Sequence, residues 1–329
     1  MGTLQNTSPE FIATDISQVA RGGVLLISDF VARPGQGSQT PGMLSPWLAL
    51  PGAQDRLEVW SKAAGLDLVR LGTTATAEEI TDTSVTQPLV VAAALLAYEE
   101  IESRGLLGAD VIAAGHSVGE LAAAAVAGVI SADDAVALAA LRGAEMAKAC
   151  SLEPTGMSAV LGGDEAEVLA RDRRTRAGSS QPQCGRPDRG GRTAHRARRT
   201  RSKRTRKGPS PRTTRRRAFH TRFMAPAQDA VAAAAAKITP SDPTRTLLSN
   251  SDGAPVSSGA DALTKLAAQV TRPVRWDLCS ASLRTAEVSA IVELPPAGTL
   301  VGIAKREMRG TPTVALKNPE DISALSELT

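Results

Sequence analysis

Apolar residues in this chain come in short blocks divided by Gly, Ser, Asp and Pro, and the blocks alternate between strand-like and helix-like spacing. Val24-Leu-Leu-Ile27 starts as a strand, and Asp29 and Arg33 interrupt it before the glycine-rich turn Pro34-Gly35-Gln36-Gly37-Ser38-Gln39. Leu57 to Leu71 alternates loosely between helix and loop. Thr76 to Glu79 has the spacing of a capping box, and Thr83 to Glu100 predicts a long apolar helix with Gln87-Pro88 near its start. Val111 to Ala114 reads as a short buried strand and the small-residue run from Leu121 to Val129 as a helix, with Ser131-Ala-Asp-Asp134 capping a further helix to Met146. Gly156 to Gly163 predicts a strand and turn, and Asp164 to Ala170 the start of a helix. From Arg171 to Arg217 the pattern vanishes, with only Ala177, Cys184, Ala194 and Ala197 apolar. It returns at Ala218-Phe219-His220-Thr221. Helices are expected at Pro226–Ile238, from about 260 to 270, toward Ala286 and through Lys305, with strands at Thr246–Asn250 and Ala290–Leu294. Alternating strands and helices of this kind indicate an α/β fold with a mainly parallel sheet.

This pattern divides the chain into residues 1–23, which lack periodicity and read as a disordered or non-native extension, a core of 24–152 and 218–329, and a smaller part, 153–217. A length of 329 residues suits one large domain with a subdomain. Aromatic residues are 2% of the chain, so the core must be built from Ala, Leu, Val and Ile.

Charge changes the picture of the smaller part. The net charge is +4, but residues 171–217 carry 19 Lys/Arg and two acids, leaving 19 basic and 32 acidic residues elsewhere. The folded body is therefore acidic. Cys150, Cys184 and Cys279 are far apart and form no C-x-x-C pair, which disfavours a disulfide framework or a zinc site and fits a reducing compartment. No h-region of a signal peptide precedes the core, and no apolar run reaches the length of a bilayer span, so a cytoplasmic protein without a membrane partner is expected.

The chemistry centres on Gly115-His116-Ser117-Val118-Gly119-Glu120, between the strand ending at Ala114 and the helix beginning near Leu121. Strand, G-x-S-x-G and helix form the context of a nucleophile elbow, in which the serine occupies a strained turn with helix N-terminal N–H groups facing a developing oxyanion. A serine nucleophile needs a base, and the chain has three histidines. His116 adjoins the serine and would point away from it, and His195 lies among arginines. His220 lies where foldable sequence resumes, as a base would. Asp133, Asp134 and Glu145 are available as a third member, and the sequence selects none of them.

These motifs, with Asp82-Thr83 to Gln87-Pro88, Arg142-Gly143 to Met146 and Pro273-Val-Arg-Trp276, occur in one order and resemble the malonyl-CoA:acyl carrier protein transacylase family over about residues 34–170 and 218–316. The resemblance implies an α/β-hydrolase-like core and a smaller ferredoxin-like lobe. It implies ping-pong transfer of malonyl from malonyl-CoA through malonyl-Ser117 to the phosphopantetheine thiol of acyl carrier protein, for fatty acid or polyketide synthesis, with His220 moving the proton. The histidine would be oriented by the backbone carbonyl of Gln269, and the oxyanion hole built from the N–H groups of Gln36 and Val118, with Gln87 and His116 in support. Arg142 would grip the malonyl carboxylate, and Phe219 matches the malonyl-selective form. No cofactor or metal is implied, and a monomer is expected. Glu293-Leu-Pro-Pro-Ala-Gly298 departs from the commoner Gly-Pro-Gly form.

Residues 171–217 also depart from the family, whose small lobe there supplies alternating apolar strands. The arginine-rich composition with near-preserved length is what a reading-frame slip in GC-rich coding sequence near Arg171, restored near Arg217, would produce. Such a tract cannot offset its own ordering entropy and leaves Met157 to Leu161 without a packing partner, so a poorly ordered lobe and weakened transfer are expected. Two other functions fit parts of the sequence. A serine esterase or thioesterase shares Ser117 and His220 but gives Arg142 no role. A nucleic-acid-binding arm would use the 19 basic residues, but no aromatics interleave for stacking and the acidic body opposes DNA.

Overall fold

The computed structural model describes residues 24–27, 39–108, 110–152, 157–159, 212–214 and 219–328. The N-terminal 1–23, the turn from Pro34 to Ser38 with Gln36, the Asp164–Ala170 segment and the arginine-rich tract apart from 212–214 lie outside the described residues.

The first strand, β1 (Val24–Ile27), is followed by two helices, α1 (Ala53–Ala64) and α2 (Leu68–Thr73), over a stretch whose pattern alternates only loosely between helix and loop. Gly65, at φ 65°, ends α1 in the left-handed conformation that glycine adopts without Cβ strain, and this break resolves the ambiguity. Thr76 and Glu79 close the expected capping box on the short helix α3 (Ala77–Ile80), with the Glu79 carboxylate accepting the Thr76 N–H at 2.9 Å. Asp82 then caps α4 (Thr83–Ser103), which runs through Pro88. Buried from Thr86 through Ala97, α4 is a central element rather than an amphipathic surface helix. Strand β2 (Ile112–Gly115), helix α5 (Gly119–Val126) and helix α6 (Ala132–Leu152) follow, and Ser131 Oγ accepts the Asp134 N–H at 3.0 Å at the start of α6. This helix continues beyond Met146 to Leu152.

Backbone contacts group residues Thr155–Arg217 apart from Met1–Pro154 with Ala218–Thr329. Within the smaller group, β3 (Met157–Ala159) pairs antiparallel with β4 (Arg212–Thr214), a strand that the arginine-rich sequence did not suggest. The larger group resumes with α7 (Ala225–Ala235), β5 (Thr246–Leu248), α8 (Gly259–Gln269), α9 (Trp276–Thr285), β6 (Ile291–Glu293), α10 (Thr299–Glu307) and β7 (Thr313–Ala315). Strand β7, with its half-buried residues, carries too weak a pattern to be read from sequence.

Five strands form one parallel sheet in the order β5-β2-β1-β6-β7. Alternate residues of β2, β5 and β6 enter two cores. Ala113, Leu247 and Val292 pack with the α4, α5 and α6 side, while Ile112, Ala114, Leu248 and Ile291 pack with Trp276, Cys279, Leu283 and Leu300 of α9 and α10. Both faces of the sheet are covered, as a parallel sheet requires, and the result is a mixed α/β fold. Ligand sites in such sheets form at the carboxyl ends of the strands. Ser117 follows the carboxyl end of β2. Among the described residues no helix is long and apolar enough to cross a membrane.

Candidate active site

The turn between β2 and α5 is held by close packing and by one asparagine. A Cβ on Gly115 would stand 2.1 Å from the carbonyl carbon of Gly119, so only glycine lets strand and helix approach so closely. Ser117 has φ 56°, a left-handed conformation costly for a residue with a side chain. Its N–H donates to Asn250 Oδ1 at 2.9 Å, and Asn250 Nδ2 donates to the Gly115 carbonyl at 2.7 Å, so one side chain spans the bend. Gly119 and Glu120 N–H groups bond back to the carbonyls of His116 and Ser117. The Val118 N–H, at the helix start, has no protein acceptor among the described residues. It remains a donor for a ligand oxygen, in the position expected of an oxyanion donor.

His220 Nε2 lies 2.8 Å from Ser117 Oγ, and His220 Nδ1 lies 2.8 Å from the Gln269 carbonyl oxygen. A carbonyl only accepts, so Nδ1 carries the proton and the Nε2 lone pair faces the serine. That carbonyl ends α8 and also accepts the Arg272 N–H at 3.2 Å. Burial, followed by the nearby Arg142 charge, lowers the His220 pKa to about 4, so the imidazole is neutral and ready to accept a proton at neutral pH. Like Ser117, His220 has a left-handed backbone, at φ 58°. The three acids left open by the sequence act elsewhere. Asp133 bonds Trp60 Nε1 and Arg56, the Asp134 carboxylate accepts the hydroxyl of the capping Ser131, and Glu145 pairs with Lys148. An esterase-type carboxylate is replaced by a backbone oxygen.

Arg142 projects from α6 and is 2% exposed. Its Nη1 donates to Gln87 Oε1 at 2.6 Å, and its Nη2 to Gln269 Oε1 at 2.8 Å and to Ser117 Oγ at 3.3 Å. The approach of α6 to α4 depends on the next residue: a Cβ on Gly143 would stand 2.6 Å from the Thr83 carbonyl oxygen. Gln87 also donates to Met146 Sδ at 3.5 Å. The His116 ring turns away from the serine onto Trp276, edge to face with centroids 5.7 Å apart, and burial lowers its pKa to about 3. Phe219 is half-buried against the larger core. Gln36 lies outside the described residues.

Two residues that the sequence reading did not single out complete the site. Asn250 lies two residues beyond β5, where the sequence suggested the last residue of a strand before a Ser-Asp-Gly turn. Glu120 closes the serine motif and is 2% exposed. Burial pushes its carboxyl up to about 7, against the Asn250 N–H, the Gln269 amide and the Arg142 charge, all of which favour the ionised form. Among the described residues no three His, Cys, Asp or Glu groups are placed to hold a metal ion.

A serine bonded to a neutral histidine, beside a buried cation on a parallel α/β sheet, is suited to acyl transfer. Residues 30–318 match the acyl transferase domain, which places the class among the acyltransferases. The malonyl CoA-acyl carrier protein transacylase of Mycolicibacterium smegmatis is 62% identical over 295 residues, 87% of this chain and 100% of that protein. The one from Escherichia coli is 31% identical over 306 residues, 90% of this chain and 97% of that protein. The crystal structure of MCAT from Mycobacterium tuberculosis superposes with a TM-score of 0.78 at 54% identity, covering 92% of this chain and 99% of that one. The chain belongs to the malonyl CoA-acyl carrier protein transacylase family.

Proposed function

We propose that the chain transfers malonyl from malonyl-CoA to the phosphopantetheine thiol of acyl carrier protein, supplying malonyl units for fatty acid synthesis, and that Ser117, His220 and Arg142 carry the reaction. Ser117 Oγ attacks the thioester carbonyl while His220 Nε2 takes its proton. The negative charge on the tetrahedral oxygen falls to the Val118 N–H and, in this reading, to the N–H of Gln36. One such donor is typically worth ~10²–10³ in rate. Collapse breaks the C–S bond, and the His220 proton passes to the leaving CoA thiolate. The carrier thiol then gives its proton to His220, attacks malonyl-Ser117, and releases the serine, which recovers the proton.

The observation that carries this reading is the buried Arg142 guanidinium, 3.3 Å from Ser117 Oγ. Its fork matches a carboxylate bidentately, so the free acid end of malonyl has a partner where an acetyl group has none. A thioesterase would give this cation no work. Gln87 and Gln269 hold the guanidinium from the protein side, and His116 and Phe219 are assigned supporting roles beside the serine and the histidine. The core is read as α/β-hydrolase-like, with residues 153–217 as the separate small lobe of the family. Incubation with isotope-labelled malonyl-CoA followed by peptide mapping tests the reading: the label is expected on Ser117, and label on another residue, or none, overturns it.

A further inference from the structure

Two carboxylates are fully buried among the described residues, and they do different work. Glu293 accepts the N–H groups of Gly298, Leu300 and Val301 and so closes the start of α10. Glu120 faces the site instead. Its Oε1 accepts the Asn250 N–H at 2.9 Å and its Oε2 accepts Gln269 Nε2. Gln269 Nε2 also faces the Ser117 carbonyl at 3.0 Å and Asn250 Oδ1 at 3.1 Å, while Gln269 Oε1 accepts Arg142 Nη2 at 2.8 Å.

A primary amide has two ends of nearly equal shape and opposite hydrogen-bonding sense. Turned about, the Gln269 oxygen would face a carboxylate and two neutral acceptors, and its NH₂ would face the donors of Arg142. The two acceptor oxygens of Glu120 make that reversal costly, most of all when the carboxyl is ionised, because charged hydrogen bonds are the strong ones. The Gln269 backbone carbonyl, which orients His220, belongs to α8 and does not turn with the side chain. The amide therefore governs the guanidinium separately from the base.

We infer that Glu120 is a positioning residue: it holds the Gln269 amide with its oxygen toward Arg142, and so aims the guanidinium at the acid end of the incoming acyl group. The inference rests on the malonyl reading above and specifies how that selectivity is set. In Glu120→Gln, one end of the new amide must present N–H to the Asn250 N–H or to Gln269 Nε2, and the constraint on Gln269 is lost.

The test is competition between equal concentrations of malonyl-CoA and acetyl-CoA, read as the ratio of malonyl- to acetyl-Ser117 by mass spectrometry. Losing this hydrogen bond lowers the ratio by about tenfold in Glu120→Gln. Glu120→Asp, with two acceptor oxygens on a shorter stem, gives an intermediate ratio. An unchanged ratio, with total acylation falling only with the folded fraction, overturns the inference and leaves Glu120 a packing role. Should Glu120→Gln not fold, Glu120→Asp carries the comparison by the same criterion. If the unmodified chain forms no malonyl-Ser117, the malonyl reading itself has failed. The inference is then decided by Kd for the two thioesters in Ser117→Ala, with and without Glu120→Gln: a malonyl preference that the second substitution removes supports it, and equal ratios overturn it.

Discussion

At the residue scale the site joins a cation to a neutral base, and each depends on burial. The Arg142 charge, 2% exposed, is held by the oxygens of Gln87 and Gln269. Breaking a buried charge pair costs about 3–5 kcal/mol, so Arg142→Ala is expected to lower malonylation of Ser117 by ~10²–10⁴. Acetylation changes far less, and competition between the two thioesters measures the difference. Burial also keeps His220 uncharged. Its pKa of about 4 predicts that acylation, measured as burst rate against pH, is flat from neutrality down to about pH 5 and falls tenfold per unit below 4. Stability follows in sign: the unfolded imidazole takes a proton near pH 6.5, the folded one not until about 4, so acidification across that window favours the unfolded chain. The stability of the wild type relative to His220→Asn, from urea titrations at pH 7 and pH 4, is expected to drop by ~3 kcal/mol.

At the element scale, two glycines decide whether these residues meet. Gly115 lets α5 follow β2 without a gap, and Gly143 lets α6 lie against the start of α4. The atoms that an added Cβ would strike are backbone, which cannot rotate aside. Gly115→Ala is therefore expected to cost at least the ~1–3 kcal/mol typical of overpacking and to displace Ser117, abolishing acylation even where the fold survives. A thermal melt with acyl-serine mass analysis checks both halves. Gly143→Ala is expected to retain Ser117 reactivity toward acetyl-CoA better than toward malonyl-CoA, because the displaced element carries Arg142.

At the scale of the whole molecule, the parallel sheet brings together residues 133 apart, such as Ser117 and Asn250, at the carboxyl ends of neighbouring strands β2 and β5. Residues 171–217 carry 19 Lys/Arg and two acids, a composition read from the sequence as foreign to the family, and malonyl transfer must compete with hydrolysis. Replacing 171–217 with the matching stretch of the Mycolicibacterium smegmatis relative is expected to raise malonyl transfer to the carrier thiol and to lower the share lost to water. Thin-layer or mass assay of malonyl carrier protein against free malonate reads that ratio.

The serine turn, the histidine and the arginine were legible in the sequence because their chemistry is local: a tight glycine-flanked turn, a scarce residue type, and motifs in a recognisable order. The alternation of strands and helices was legible for the same reason, since period and capping act over a few residues. Asn250, Glu120 and the side chain of Gln269 were not, and neither was strand β7. An asparagine at a strand end, an acid on a helix and a glutamine at a helix end carry no local signal of a site until the sheet encloses them. Only tertiary packing removes the water that would otherwise satisfy each of them singly, and so obliges them to bond to one another around the serine and the guanidinium.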